Sequence, residues 1–277
     1  MIRIERYDNP AQFAADCRDF VMQDLRARDR SYVLINNVAT AAEVGHKRLY
    51  RIVENGKTEG VALIVTRAPI RRLMLDVTDA RYVPELIAAL QTDGEAVTAV
   101  MGNAAVAKPF ADQWGHHRTH MQMGSLALTS GPHHPAAAGC VRPATAADTD
   151  RLHTWLAAFI VECRLNEDPS RLPQDIKDRL AAPEPVYWLW EVDGEPVSLS
   201  RCSGDTNVTR IGAVYTPPEA RGRGYAGTLV AELCTRLRSR GVREICLSTD
   251  LTNPTSNALY KRIGFEQIGE AVELVFA

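Results

Sequence analysis

Residues 208–227 read VTRIGAVYTPPEARGRGYAG, and the order of events in that stretch sets what the rest of the chain must be. Val208, Ile211 and Val214, with Tyr215 and Thr216 behind them, form a β-branched and aromatic run of strand length. Pro217 and Pro218 end it. Arg221, Gly222, Arg223 and Gly224 follow, and from Ala226 apolar residues recur at Leu229, Val230, Leu233 and Leu237, a helical spacing that Gly241 closes. The segment is a strand, a glycine-rich turn and a helix. A helix start carries unpaired N–H groups and partial positive charge, and glycines let an anion approach the backbone without meeting a Cβ. With Arg221 and Arg223 beside it, this turn suits a phosphate or diphosphate; a plain glycine turn with solvated arginines is the simpler alternative.

Two phosphate ligands compete for it. Gly222, Gly224 and Gly227 spell G-x-G-x-x-G, the dinucleotide fingerprint, and Asp250 stands near the spacing of a ribose-binding acid. That fingerprint should follow directly on the first strand of a parallel βαβ unit, whereas Pro217 to Ala220 intervene here. The preceding runs Tyr187–Val192 and Pro196–Ser203, joined by Asp193-Gly194, also predict an antiparallel meander. A nicotinamide-dependent oxidoreductase is therefore the remote alternative.

The other ligand is coenzyme A. Arg221, Gly224 and Ala226 match the [Q/R]-x-x-G-x-[G/A] signature, so the stretch resembles the phosphate loop of the GCN5-related N-acetyltransferase (GNAT) family. Residues 253–265, NPTSNALYKRIGF, resemble the family's late helix, which carries a tyrosine shortly before Gly-Phe. The resemblance covers about residues 140 to 277, with both motifs in family order. It implies acyl-CoA-dependent N-acyl transfer, acetyl by default, to a primary amine by direct attack in a ternary complex. The backbone of Val214 and Tyr215 is expected to pair with the pantetheine arm, and the amides of Arg221, Gly222, Arg223, Gly224, Tyr225 and Ala226 to hold the diphosphate. Asn253 and Ser256 are expected beside the cofactor; Asn253 before Pro254 also reads as a plain helix cap. Tyr260 takes the family position of the proton donor to the departing thiolate. For the base, Glu162 comes first and Asp250 second. An acyl-CoA-binding sensor module without turnover is the other alternative.

Composition sets outer limits. The chain has 277 residues, 45% of them apolar, enough for two ordinary domains. A net charge of −2 gives no global case for nucleic acid or an anionic membrane. The start, MIRIERYDNP, lacks a signal-peptide core, and no later run is long enough to span a bilayer, so a cytoplasmic protein is expected. Six cysteines are scattered without a C-x-x-C pair and read as small hydrophobes. His116, His117, His120, His133 and His134 share no spacing with acidic or cysteine ligands, so no metal is expected.

The first half repeats the pattern. Asn9-Pro10 opens a helix over Phe13, Cys17, Phe20, Val21 and Leu25. Strands are expected at Tyr32–Asn36, Leu49–Val53, Gly60–Thr66, Arg71–Thr78, Ala96–Met101 and Thr119–Thr129, with helices carrying Leu86 and Phe110. The stretch from Tyr50 through Asn55-Gly56 parallels that from Tyr187 through Asp193-Gly194, pointing to an internal duplication. After Thr78 the first copy continues Asp79-Ala-Arg-Tyr-Val-Pro84 without a glycine, so it is expected to be a degenerate copy without a phosphate loop. The expected architecture is α/β (α+β): two tandem GNAT-like domains, each a mixed, largely antiparallel sheet flanked by helices. Their predicted spans are residues 1–130 and 141–277, joined by a Pro/Gly/Ala-rich linker over 131–140.

Overall fold

The computed structural model describes residues 1–40, 48–67 and 70–277. The element order is the same ten-step series run twice. The first is β1 (Ile2–Tyr7), α1 (Pro10–Gln23), α2 (Asp29–Thr40), β2 (Arg48–Glu54), β3 (Lys57–Arg67), β4 (Ile70–Val77), α3 (Val83–Thr92), β5 (Ala99–Asn103), α4 (Ala104–Trp114) and β6 (His117–Leu128). The second is β7 (Cys140–Pro143), α5 (Thr149–Glu162), α6 (Leu172–Leu180), β8 (Tyr187–Val192), β9 (Glu195–Gly204), β10 (Val208–Tyr215), α7 (Tyr225–Ser239), β11 (Glu244–Asp250), α8 (Pro254–Ile263) and β12 (Phe265–Phe276). The matching hairpins turn alike: Asn55-Gly56 has φ of 51° and 83°, and Asp193-Gly194 repeats the same two values. Left-handed residues at both turn positions are what Asn-Gly and Asp-Gly supply at least strain.

Two compact units result, and they are not the contiguous spans 1–130 and 141–277. One comprises Met1–Ser125, Thr249–Asn253 and Gln267–Ala277; the other comprises Leu126–Ser248 and Pro254–Glu266. The chain changes unit inside β6 and inside β12. In the first unit β12 pairs antiparallel with β5, Ala271 to Val275 against Asn103 to Ala99, so the last strand of the second repeat completes the sheet of the first. Sequence composition gives no sign of this, because Val272 and Leu274 would suit either core.

In the first unit β1, β2, β3 and β4 form an antiparallel meander, and β4 runs parallel to β5. Tyr50, Ile52, Leu73, Leu86, Phe110, Val272 and others close the core on the side of α3 and α4. β1 lacks an alternating pattern strong enough to stand out in sequence. Tyr32–Asn36, expected as a strand, lies in α2. Its β-branched residues are overridden by pairing with α1, and Tyr32, Val33 and Ile35 are buried.

In the second unit β7, β8, β9 and β10 are antiparallel neighbours, and β10 pairs parallel with β11. Leu229, Leu233, Ile245, Leu247, Tyr260 and Phe265 pack on the α7 and α8 side. Leu152, Trp155, Leu189, Leu199 and Tyr215 pack on the α5 side. Arg142 and Asp148 fix the start of α5: both guanidinium nitrogens reach the carboxylate, at 2.8 and 2.9 Å, and Asp148 also accepts the Thr145 N–H at 2.8 Å. Hydrogen bonding from Arg142 holds the buried Asp148 carboxyl down at about 2.

Residues 130–139 are an anchored strap rather than a free linker. Thr129 N donates to Gly264 O at 3.1 Å, His133 N to Ile263 O at 3.0 Å, Ala137 N to Thr228 Oγ1 at 3.1 Å, and Trp190 Nε1 to Ala138 O at 2.9 Å. Gly139 ends it at φ 121°, where a Cβ would lie 2.3 Å from Glu191 O.

Candidate active site

The parallel pairing of β10 with β11 ends at Ile211 with Leu247, although β10 continues to Tyr215. On the other side, Gly212 opposes Arg201 and Tyr215 opposes Leu199, so β10 holds one extra residue. Ala213 takes that bulge at φ 47°. Gly212 and Tyr215 still pair with β9 across the bulge, and past Ile211 β10 has no partner strand on its β11 side, which leaves a strand edge there. An extended ligand can add to such an edge through main-chain hydrogen bonds.

β10 leads through Pro217 and a short turn at Pro218–Ala220 into the glycine-rich turn before α7. Gly222 and Gly224 both adopt left-handed φ, 77° and 80°. Gly224 is the N-cap of α7, no side chain caps it, and no acid lies in the first turn. A Cβ on Gly222 would meet nothing within 4 Å, so the space over that backbone is open. An uncapped helix start with open backbone approach is a fitting seat for a diphosphate. The corresponding helix of the first unit is occupied by its own chain: Asp79 accepts the Arg81 N–H at 2.8 Å, Pro84 lacks an N–H, and Glu85 lies in the first turn. Arg81 and Tyr82 both reach Glu54, at 2.6 and 2.9 Å.

Arg221 is already engaged. Its Nη2 donates to Glu162 Oε2 at 2.7 Å, its Nε to Thr216 O at 2.8 Å, and its guanidinium lies 5.7 Å from the Tyr215 ring centroid. Tyr215 Oη donates to Glu162 Oε1 at 3.2 Å, and burial, followed by the Glu162 charge, raises that phenol. Glu162, expected as the base, therefore arrives with two donors on its carboxylate, one of them a cation. Asp250 lies in segment 249–253 of the first unit, where its Oδ1 accepts from Thr252 N and Oγ1, both at 2.8 Å. Asn253 belongs to that segment too and donates its N–H to Asp250 O at 3.0 Å. Ser256 lies in the first turn of α8.

Tyr260 sits on the same helix, 8% exposed, its ring edge-on to Phe265 at 6.0 Å. Burial first, then the nearby Cys163, pushes its phenol well above the ordinary value, so it keeps its proton. Among the described residues, no group of three His, Cys, Asp or Glu could hold a metal, and no helix is long and apolar enough to cross a membrane. Cys17, Cys202, Cys234 and Cys246 are buried, Cys163 is half-buried and Cys140 is exposed.

Residues 150–265 match the model of the Acetyltransferase (GNAT) family. Across that stretch the chain is similar to the GNAT-family acetyltransferases. It is 26% identical over 139 residues to the aminoglycoside N(6')-acetyltransferase type 1 of Serratia marcescens, covering 45% of this chain and 92% of that protein. It is 29% identical over 91 residues to the uncharacterized N-acetyltransferase MJ1207 of Methanocaldococcus jannaschii, covering 30% of this chain but only 40% of that relative. A solved tandem GNAT protein from the clavulanic acid biosynthesis pathway superposes with TM-score 0.59 at 13% identity, over 99% of this chain and 98% of that one. At that identity the likeness speaks for the fold, and it extends through both repeats. The glycines follow an antiparallel meander and a bulged strand, not the first strand of a parallel βαβ unit on which the dinucleotide fingerprint should follow. The third glycine of the fingerprint, Gly227, answers to a neighbour within the protein, since a Cβ there would lie 2.1 Å from His134 Nε2. His134 and the strap are what sequence reasoning missed; a buried glycine inside a helix is the signal that something lies close above it.

Proposed function

We propose that the second unit transfers an acetyl group from acetyl-CoA to a primary amine by direct attack, and that the first unit binds no diphosphate. The observation that carries this is the succession on one segment of an unpaired, bulged strand end and an uncapped helix start. Acetyl-CoA, when bound, supplies the acetyl group as a thioester. Val214 and Tyr215 would hold the extended arm by main-chain bonds, and the amides from Arg221 to Ala226 the diphosphate. An N–H at the strand end would stabilise negative charge developing on the thioester oxygen, and positioning the amine supplies much of the remaining acceleration.

Arg221 and Glu162 are 47% and 43% exposed, so separating them costs no more than ~1 kcal/mol. A diphosphate is a stronger partner for a guanidinium. Its arrival would draw Arg221 away and leave the Glu162 carboxylate to take a proton from the acceptor ammonium, directly or through water. Tyr260 would donate a hydrogen bond to the departing thiolate.

The test is a melting curve followed by a turnover assay. Acetyl-CoA at about 100 times its dissociation constant should stabilise by ~2.7 kcal/mol while NADH does not. Thiol release is then followed with a panel of amines: an aminoglycoside, suggested by the Serratia marcescens relative, a polyamine, amino acids and a lysine peptide. Stabilisation by NADH alone would overturn the reading. One observation favours acyl-CoA sensing instead, namely that Glu162 is committed to Arg221 and Tyr215; binding without amine-dependent thiol release would decide for it.

A further inference from the structure

Thr78 and Thr216 stand at the same point of the two repeats, the first just past β4 and the second just past β10. In the first unit the pairing of β3 with β4 runs unbroken to Gly60 opposite Val77, and the Thr78 N–H donates to Glu59 O at 2.9 Å. In the second unit the bulge at Ala213 interrupts the matching pairing of β9 with β10, and among the described residues the Thr216 N–H has no hydrogen-bond partner. Side chains hold Thr216 instead. Ser198 Oγ lies 3.1 Å from Tyr215 O and 2.9 Å from Thr216 Oγ1. A carbonyl oxygen can only accept, so the single Ser198 hydroxyl hydrogen goes to Tyr215 O, and the Thr216 hydroxyl donates to Ser198 Oγ. Arg221 Nε donates to Thr216 O at 2.8 Å.

A trans peptide is planar, and its C=O and N–H point in opposite directions. The Tyr215 C=O and the Thr216 N–H belong to one peptide. Drawing the carbonyl toward Ser198 on β9 therefore turns the N–H away from β9, to the side on which β10 has no partner strand past Ile211. We propose that Ser198 is a positioning residue, whose hydroxyl, in series with that of Thr216, aims the Thr216 N–H at the open strand edge and at the thioester oxygen of an acetyl-CoA held along it. This rests on the transferase reading above, in which an N–H at the strand end meets developing negative charge. Such a donor is effective only when it already points to where the charge forms. The hold by Ser198 matters most once Arg221 has left for a diphosphate, because Ser198 is then the partner that Thr216 keeps among the described residues. Ser200, the next residue on the same face of β9, supplies a contrast. Both serines are fully buried, but Ser200 Oγ has no partner among the described residues.

The test compares wild type with Ser198→Ala, Thr216→Val and, as a control, Ser200→Ala, which removes a hydroxyl that holds nothing. Urea melts check folding, and Thr216→Val, which leaves β9 untouched, carries the test if Ser198→Ala does not fold. The quantities read are kcat and KM for thiol release, the calorimetric affinity for CoA, which has no thioester, and the infrared carbonyl stretch of bound acetyl-CoA, isotopically labelled at that carbon and recorded without amine. Removing an oxyanion donor outright costs roughly 10²–10³ in kcat, so misaiming one should lower kcat by about tenfold or more. That fall is expected in Ser198→Ala and Thr216→Val, with KM for acetyl-CoA and affinity for CoA within about twofold of wild type. The carbonyl stretch should move back toward its free-solution value in both, and Ser200→Ala should match wild type. Amide exchange in the ligand-free wild type should be slow at Thr78 and fast at Thr216, and acetyl-CoA should slow it at Thr216. A folded Ser198→Ala or Thr216→Val with wild-type kcat, or an equal fall in Ser200→Ala, overturns this inference and leaves the transferase reading standing. So does a Thr216 N–H as protected as that of Thr78 in the ligand-free protein, whatever the variants do. Wild type that binds acetyl-CoA but releases no thiol overturns the transferase reading by itself, and the carbonyl stretch then decides for or against Ser198. Wild type that binds no acetyl-CoA overturns both.

Discussion

Replacing Tyr260 by phenylalanine removes one oxygen from a side chain that is 8% exposed and whose ring packs edge-on to Phe265. Among the described residues its hydroxyl has no hydrogen-bond partner, so the ring contacts survive the change and stability should stay level or rise slightly. The expected loss is catalytic. Burial holds the phenol above its usual value of 10.0, while the departing thiol lies near ~8.5. Complete proton transfer from the stronger-held proton is uphill, so in the proposed role Tyr260 would act by donating a hydrogen bond to the thiolate. A bond to a charged group contributes about 1.5–3 kcal/mol, which translates into a kcat lower by roughly 10- to 150-fold. The assay is thiol release at saturating amine, with KM for acetyl-CoA expected to be unchanged because the bond forms only as charge develops. Equal kcat in the two proteins, or a loss confined to KM, would refute the assignment. So would an alkaline limb near about pH 9 that vanishes in the variant, since this phenol should hold its proton through that range.

The remaining predictions concern the scaffold of the site. Gly222→Ala and Gly224→Ala force left-handed φ values of 77° and 80° onto alanine, at ~1–2 kcal/mol each, and each puts a methyl group at the proposed anion seat. Denaturant melts should show that loss and calorimetry a weaker affinity for CoA; lowered stability with unchanged affinity would reduce the glycines to turn formers. Gly227→Ala displaces the His134 ring, so it should be helix-stabilising by about 0.5–1 kcal/mol only in a His134→Ala background, as a double-mutant cycle would record. Asp148→Asn should destabilise the second unit by about 2 kcal/mol at neutral pH, from a carboxyl lowered from 3.8 to about 2. Because the folded-state pKa is the depressed one, that stability is present above pH ~4 and is lost as pH falls toward ~2, so the two proteins' urea midpoints should converge in acid. Glu162→Gln should leave CoA affinity within about twofold, since the ion pair it breaks is exposed, and should lower kcat with a changed acid limb if Glu162 is the base.

Much of this was legible along the chain. The β-branched run into Pro217-Pro218, the glycines at 222 and 224 and the apolar spacing from Ala226 give a strand, a left-handed glycine turn and a helix wherever they occur, because each signal acts over a few residues. The Asn55-Gly56 and Asp193-Gly194 turns exposed the duplication for the same reason. Tyr32–Asn36 misled because its strand propensity is weaker than the burial gained by pairing α2 with α1.

What only the tertiary structure decided depends on residues far apart in sequence. That Gln267–Ala277 completes the first unit turns on which core Val272 and Leu274 enter, and apolar alternation is indifferent to that choice. That Glu162 holds Arg221 depends on where the end of α5 falls beside the loop before α7. His134 acquires its place from Gly224, Gly227 and Thr228, some ninety residues away along the chain. Sequence fixes local geometry because backbone preferences and periodicity are short-ranged; burial, ion pairing and the environment of an imidazole arise only when the packed fold brings distant groups to within a few ångströms.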